Sequence, residues 1–436
     1  MLRRTFLASA AGVACSGLGP AWAQAADDGY EDAVLDSVLN ELEILQGSPL
    51  ERTAVTTTMR PDRSVVRRYS YSADLAVPPL SADTIATLRA QAYWNVLPAD
   101  RPSPSWPVDA AAPDYEHLSD FGNVAPGFTL TAGVLKTLAT RNAFKLNWRR
   151  PVTIFGLRGC RIADGADAKP WSTSHNLETL APNHLQARCI IGVWRQSDDQ
   201  LALFQASTVP AVAHIYASLA EQGFGTSLLP TGLYSYSAGS HRADKPDRIQ
   251  RGALLLSGDQ VVLRTAKELS FDALAETTAW TRGNVHNIHS AGKPDRYDSA
   301  GCQVVPGGYA GPDRKKATGR WSDFRVAAGL VDADGAPIAP EAKPTFQYML
   351  LTGREAALAY QGGQAFAKDY FRLRPGSTGG AVKKLQEKLL AASANAVPGL
   401  TADGGFGTRT AFAVLLGKGR DTGAFTSPVA TIGSAG

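Results

Sequence analysis

The sequence predicts a multidomain α+β protein, with a helical N-terminal region, a mostly-β central domain and a small all-α C-terminal domain. Three observations predict it. Tyr30 to Leu45 spaces Val34, Leu35, Val38, Leu39, Leu42 and Leu45 as one helical stripe, with acids on the other side. From Pro151 the period changes to short β-rich runs cut by Gly and Pro turns. Beyond Gly362-Gly363 a helical spacing returns in two short segments. The expected divisions are a leader at 1–23, the helical region at 24–147, the central domain at 148–362, the C-terminal domain at 370–419 and a disordered tail at 420–436.

A chain of 436 residues accommodates two or three domains, and 44% hydrophobic residues supply a sizeable core. Charged residues are only 19%, with 42 Gly and 26 Pro, a profile of a loop-rich exported protein more than of a disordered one. The leader fits that reading. Arg3-Arg4 precede an apolar run, Phe6 to Leu18, and Ala21-Trp22-Ala23 offers a small-x-small cleavage site. The run also resembles a twin-arginine export signal, so either export route is open. It is too short and too Gly-broken to span a bilayer, and no membrane span is expected. Without Arg3 and Arg4 the chain carries 42 Lys and Arg against 40 Asp and Glu, near +2, which gives nucleic acid no foothold.

In the N-terminal region Gly47 and Pro49 stop the first helix. A second is expected from Ser81, as its N-cap, to Tyr93, then an extended Pro-rich run from Pro98 to Pro113, then a third helix from Leu130 to Ala143. Their stripes read as packing faces. In the central domain Val152–Arg158 reads as a strand, and Cys189–Trp194 and Leu201–Phe204 as two more around the turn Ser197-Asp198-Asp199. A short helix, Val212 to Gln222, a strand from Leu229 to Tyr234 and a hairpin of Ala253–Leu256 with Val261–Arg264 follow, and Phe346–Thr352 closes the set. Many short strands argue for a sandwich or an open barrel.

The chemistry concentrates in Asn284 to Gly307. Small residues before Cys302 leave its sulfur open to approach, and a nucleophilic thiol needs a nearby base because the thiolate is the reactive form. His289 lies thirteen positions upstream, enough chain for a loop that returns it beside Cys302. Ser299-Ala300-Gly301-Cys302 could turn backbone N–H groups toward a developing oxyanion. The bland alternative is a buried cysteine near a turn with two surface histidines. A zinc site from His286, His289 and Cys302 is disfavoured, because a strand would point the two histidines to opposite faces and no Cys-x-x-Cys accompanies them. No metal is therefore expected. His241 reads as a surface-loop histidine, though it could face the cleft. If Cys302 stays free, Cys160 and Cys189 are the one pair able to bond in an oxidising compartment, at a separation the sequence does not give.

Ile288-His289 followed by Ser299-Ala300-Gly301-Cys302-Gln303 resembles the active-site motif of the L,D-transpeptidase catalytic domain. The order of the pieces is similar too: Ser207-Thr208, then Leu229-Pro230-Thr231-Gly232-Leu233-Tyr234, then His289 and Cys302. Ala300 stands where the motif has a second histidine, Gln303-Val304-Val305 replaces its Arg or Asn step, and the His–Cys loop is shorter. The resemblance implies Cys302 as nucleophile and His289 as base, with Ser299 and Gly301 around the oxyanion. Thr231, Gly232, Tyr234, His286 and Gln303 would line the substrate, a peptidoglycan stem peptide, and no cofactor is implied. In the C-terminal block, Val382-Lys-Lys-Leu385-Gln386 and Asp403-Gly-Gly-Phe406-Gly407-Thr-Arg-Thr410 resemble a peptidoglycan-binding-type three-helix domain, with Leu415-Leu416 where Phe-Gln is usual. Together these imply an exported cell-wall enzyme that transfers or hydrolyses an acyl group. The rival is a catalytically inactive scaffold that binds peptidoglycan.

Overall fold

The computed structural model describes the backbone of 52–59 and 65–71, and most of 118–431; outside it fall 119–120, 122–123, 181, 183–186, 212–225, 246–248, 265–278, 292–298, 312, 333–334, 336–343, 393–396 and 423–426. The leader, the helices expected at 30–45, 81–93 and 212–222, and the Pro-rich run lie outside the described residues.

The N-terminal region departs from the helical expectation. Strands β1 (Arg52–Met59) and β2 (Val65–Tyr71) pair as an antiparallel hairpin, from Thr56↔Arg68 to Met59↔Val65. Their Thr- and Val-rich sequences favour the pleated backbone. Further on, β3 (Gly127–Thr131) leads into α1 (Ala132–Arg141), whose N-cap Thr131 accepts from the Val134 N–H. Phe128, Leu130, Leu135 and Leu138 lie in one core cluster with Phe155, Leu157 and Leu177. The segment 127–146, expected outside the central domain, is thus part of its packing.

The described residues are mostly β. In chain order β4 (Val152–Arg158), β5 (Cys160–Ile162), β6 (Ala168–Ser172), β7 (Ser174–Thr179), β8 (Cys189–Arg195) and β9 (Gln200–Ala206) are followed by β10 (Ser227–Leu228), β11 (Gly232–His241), β12 (Gln250–Leu256), β13 (Gln260–Arg264) and β14 (Ala279–Gly283). Then come β15 (Ile288–Ser290), β16 (Gln303–Val305), β17 (Gly308–Ala310), β18 (Lys316–Thr318), α2 (Arg320–Ala327), β19 (Thr345–Thr352) and α3 (Gly353–Asp369). Nine strands form one sheet in the order β16-β15-β12-β11-β19-β4-β8-β9-β6. Every residue of β4 is buried because both faces are covered. Phe155 and Leu157 face the cluster shared with α1 and α3, while Ile154 faces Tyr236, Tyr348 and Trp321.

The sheet curls until its edge strand β16 meets the chain leaving β9. Ser207 and Val304 exchange both backbone hydrogen bonds, at 2.9 and 2.8 Å. That seam, an open barrel drawn nearly shut, is where Cys302 sits. A buried Arg158 braces it, donating to the Thr208 hydroxyl at 3.1 Å and to the Thr208 and Leu229 carbonyls at 2.8 and 2.9 Å.

The C-terminal block contains β20 (Arg372–Leu373), α4 (Gly380–Ala392), α5 (Thr408–Thr422) and β21 (Ala430–Thr431). Val382, Phe406, Ala411, Val414 and Leu415 form its core, which includes Val261 of β13 and has Trp280 packed against it. Gln386 is buried with its whole amide engaged: Nε2 donates to Asp403 Oδ1, the Gly405 carbonyl and Thr410 Oγ1, and Oε1 accepts from the Gly404 N–H. The expected tail is corrected. α5 continues to Thr422, and β21 returns to pair Leu373↔Ala430 with Val429 buried. The all-α expectation therefore gives way to two helices clasped by a short strand pair.

Candidate functional site

Cys302 and His289 reach the seam on neighbouring parallel strands. β15 and β16 pair His289↔Val304 and Ile288↔Gln303, and the Gln303 N–H donates to the Asn287 carbonyl. Side chains alternate along a strand, so His289, Cys302, Val304 and Ala291 share one face, while Ile288, Gln303 and Val305 share the other. The packing agrees. Cys302, Val304, Ala291 and Ala211 form one small cluster, and Ile288 and Val305 lie in the large one around Tyr348.

Around the thiol the carbonyl of Val285 collects two donors, the Asn287 N–H and the Cys302 Sγ–H, each at 2.9 Å. Cys302 is buried, with 7% of its surface exposed. His289 is buried, and its Nδ1 lies 2.6 Å from the Ser290 carbonyl. A carbonyl only accepts, so Nδ1 carries the proton and Nε2 is the basic nitrogen of the neutral ring. Ser290 is anchored in turn, its N–H and hydroxyl both donating to Gln250 Oε1.

The histidine read as a surface-loop residue is not one. His241, at the end of β11, is buried and stacks on His289 with ring centroids 4.3 Å apart and planes at 5°. Its Nδ1 meets the Asn287 side-chain amide at 3.2 Å. The flanking Ser-Ala-Gly-Ser-His-Arg looked like loop sequence, and the ring partner lies 48 positions away, beyond the reach of local pattern.

The expected oxyanion groups have other work. The Gly301 N–H donates to Ser299 Oγ at 3.0 Å, and that hydroxyl donates to the Cys302 carbonyl at 2.8 Å. Both thereby tie down the turn that leads into Cys302. Gly301 has φ +148°, and a Cβ there would stand 2.3 Å from the Ser227 carbonyl and 3.2 Å from His286 Nε2. Only glycine fits.

The residues expected to line the substrate are each engaged within the fold. Thr231 is buried and accepts from Arg374 Nη1 at 2.7 Å. Beside it Gly232 packs so closely on the Pro375 carbonyl that a Cβ would stand 2.7 Å from it. Tyr234 is buried with its hydroxyl donating to the Pro230 carbonyl. On the far sheet face, Gln303 accepts from the Tyr348 hydroxyl at 3.3 Å. His286 is at the site but buried against Gly301 and Gly283, with its carbonyl held by the Tyr236 hydroxyl at 2.7 Å. Its position is that of a wall.

Cys160 and Cys189 are buried free thiols, so the bond left open by the sequence is not formed. Burial, and then the neighbouring Cys189, push the Cys160 thiol well up, which makes it a poor nucleophile. Among the described residues no three His, Cys, Asp or Glu side chains converge as a metal-binding set, and no helix is long and apolar enough to cross a membrane.

No protein-family model, no curated protein and no solved structure matches this chain. The site therefore defines a class by its own geometry alone: a sheet-edge cysteine sharing one face with a histidine of fixed tautomer.

Proposed function

We propose that this chain is an exported cell-wall enzyme that acts on peptidoglycan stem peptides through Cys302, as an L,D-transpeptidase or L,D-carboxypeptidase. The observation that carries the reading is the shared face of Cys302 and His289, with His289 Nδ1 tied to Ser290 so that Nε2 is the base. In this mechanism the thiol turns from the Val285 carbonyl and gives its proton to His289 Nε2. The sulfur then attacks the carbonyl of a stem-peptide bond ending in a D-amino acid. The C–N bond breaks, the leaving amine takes the proton from His289, and a thioester remains on Cys302. An incoming amine gives a cross-link, and water gives trimming. The C-terminal block, by its resemblance to peptidoglycan-binding domains, would hold the enzyme to the wall.

Two observations favour a second reading, an inactive wall-binding scaffold: the thiol proton rests on a carbonyl and Cys302 is buried. Incubation with a carbapenem and mapping of the adduct by peptide mass spectrometry separates the two. The enzyme reading expects an acyl adduct on the Cys302 peptide and none in Cys302→Ala. An unmodified wild-type Cys302 overturns it in favour of the scaffold.

A further inference from the structure

Granted the cysteine chemistry proposed above, we propose that His241 is a positioning residue, a neutral imidazole stacked on His289 that holds its ring square to the thiol face and shelters it as it takes the Cys302 proton. The two rings are parallel within 5° and both are buried. Each is clamped at its edge by a different group.

The tautomer of His241 follows from Asn287. Asn287 Oδ1 accepts from the Leu256 N–H at 3.1 Å, which fixes the amide so that its NH2 faces His241. The 3.2 Å contact is then Asn287 donating to His241 Nδ1, so His241 carries its one proton on Nε2. A proton on Nδ1 would set two donors head to head. The amide has no way to turn over without presenting its NH2 to the Leu256 N–H. The contact in this way fits the Nε2–H tautomer of the neutral His241 ring.

That neutrality matters for its neighbour. As the S–H electron pair stays on sulfur and the proton passes to His289 Nε2, His289 becomes an imidazolium. A second imidazolium 4.3 Å away would oppose that step, whereas a neutral ring face attracts the charge. Asn287 closes the device, since it stands two residues before His289 and its carbonyl accepts the N–H of Gln303, the residue after Cys302.

The test uses the full chain. Carboxamidomethylation of Cys302 by iodoacetamide is followed by peptide mass spectrometry for wild type, His241→Ala, His241→Phe and Asn287→Ala, with thermal unfolding as the folding control. His241→Ala should slow the reaction roughly 10- to 100-fold, the scale on which losing an outer orienting group acts. His241→Phe restores a ring face without a titrating nitrogen and should recover most of that loss. Ring-nitrogen NMR on histidine-labelled wild type should show His241 protonated at Nε2 and His289 at Nδ1. A fast wild-type thiol unmoved by His241→Ala, equal losses in the Ala and Phe variants, or His241 protonated at Nδ1 would each overturn the assignment. A wild-type Cys302 no faster than glutathione sinks the parent cysteine chemistry instead, while the NMR result still judges the tautomers.

Discussion

Two buried polar clusters, built on opposite principles, organise this molecule. One lies where α3 meets the C-terminal block. Arg374 and Glu355 pair at 2.6 Å with both side chains fully buried. The carboxylate also receives the Thr352 N–H and hydroxyl and the Tyr370 hydroxyl, while Arg374 reaches on to Thr231. The other cluster lies on the barrel seam: His241 stacks on His289 and meets the Asn287 amide, His289 is tied to the Ser290 carbonyl, and Cys302 beside them donates to the Val285 carbonyl. The first is locked by charge, since moving either ion out of register strands the other in a medium that solvates it poorly. The second is locked by tautomer and by ring contact, which leaves a proton able to move. The difference teaches how burial can lock a structure in one place and, under the proposed function, would leave room for chemistry in the other.

If the contrast is right, substitutions should separate activity from stability. The largest effect belongs to the seam. Cys302→Ala and His289→Ala should each lower acylation by a stem peptide or carbapenem by about 10³-fold or more, because groups that act as a unit lose most of the rate when one is removed. Thermal unfolding should move by only a few degrees. Full activity in Cys302→Ala on muropeptides would place the nucleophile elsewhere.

The ionic cluster should answer in the opposite sense. Glu355→Ala leaves Arg374 buried without its carboxylate and should cost about 3–5 kcal/mol in urea unfolding, while the folded fraction still acylates. The Tyr370 hydroxyl, whose pKa burial raises far above its usual value, stays a neutral donor throughout and gives no compensating charge. A stability change below 1 kcal/mol would break the comparison. A smaller loss, about 1–3 kcal/mol, is expected of Gln386→Ala, which strands the Gly404 N–H that its side-chain oxygen satisfies. Unfolding followed by Trp280 fluorescence reads it, since that ring packs on the same core.

Much of the scaffold could be read from sequence, and the reason is burial on both faces. β4, β8 and β19 are near-continuous apolar runs, and such runs announce strands without help from partners. Cys302 and His289 stood out because small neighbours and a short separation are local signals. What stayed hidden depends on distant pairing. His241 is defined by a ring on another strand, Thr231 by an arginine 143 positions later, and β21 by two residues of β20. The hairpin of β1 and β2 was legible in its Thr and Val runs, but the helical stripe before it dominated the reading of that region.

The smallest predicted effect is the sharpest test of what separates the clusters. Lys136 and Asp199 also pair at 2.6 Å, the same separation as Arg374 and Glu355, but with side chains 44% and 43% exposed. If distance alone set the energy, Lys136→Ala should cost as much as breaking the buried pair. In water the two charges are solvated before and after folding, and holding two long side chains together costs entropy, so an exposed pair is worth about 0–1 kcal/mol. Removing Lys136 also strands nothing, because Asp199 Oδ1 still accepts the Trp194 indole N–H at 3.2 Å. Lys136→Ala should therefore shift urea unfolding by about 0.5 kcal/mol or less, and added salt should shrink even that. A loss approaching that of Glu355→Ala would mean that the Asp199 turn is itself a structural anchor, and that burial is not what distinguishes the two pairs.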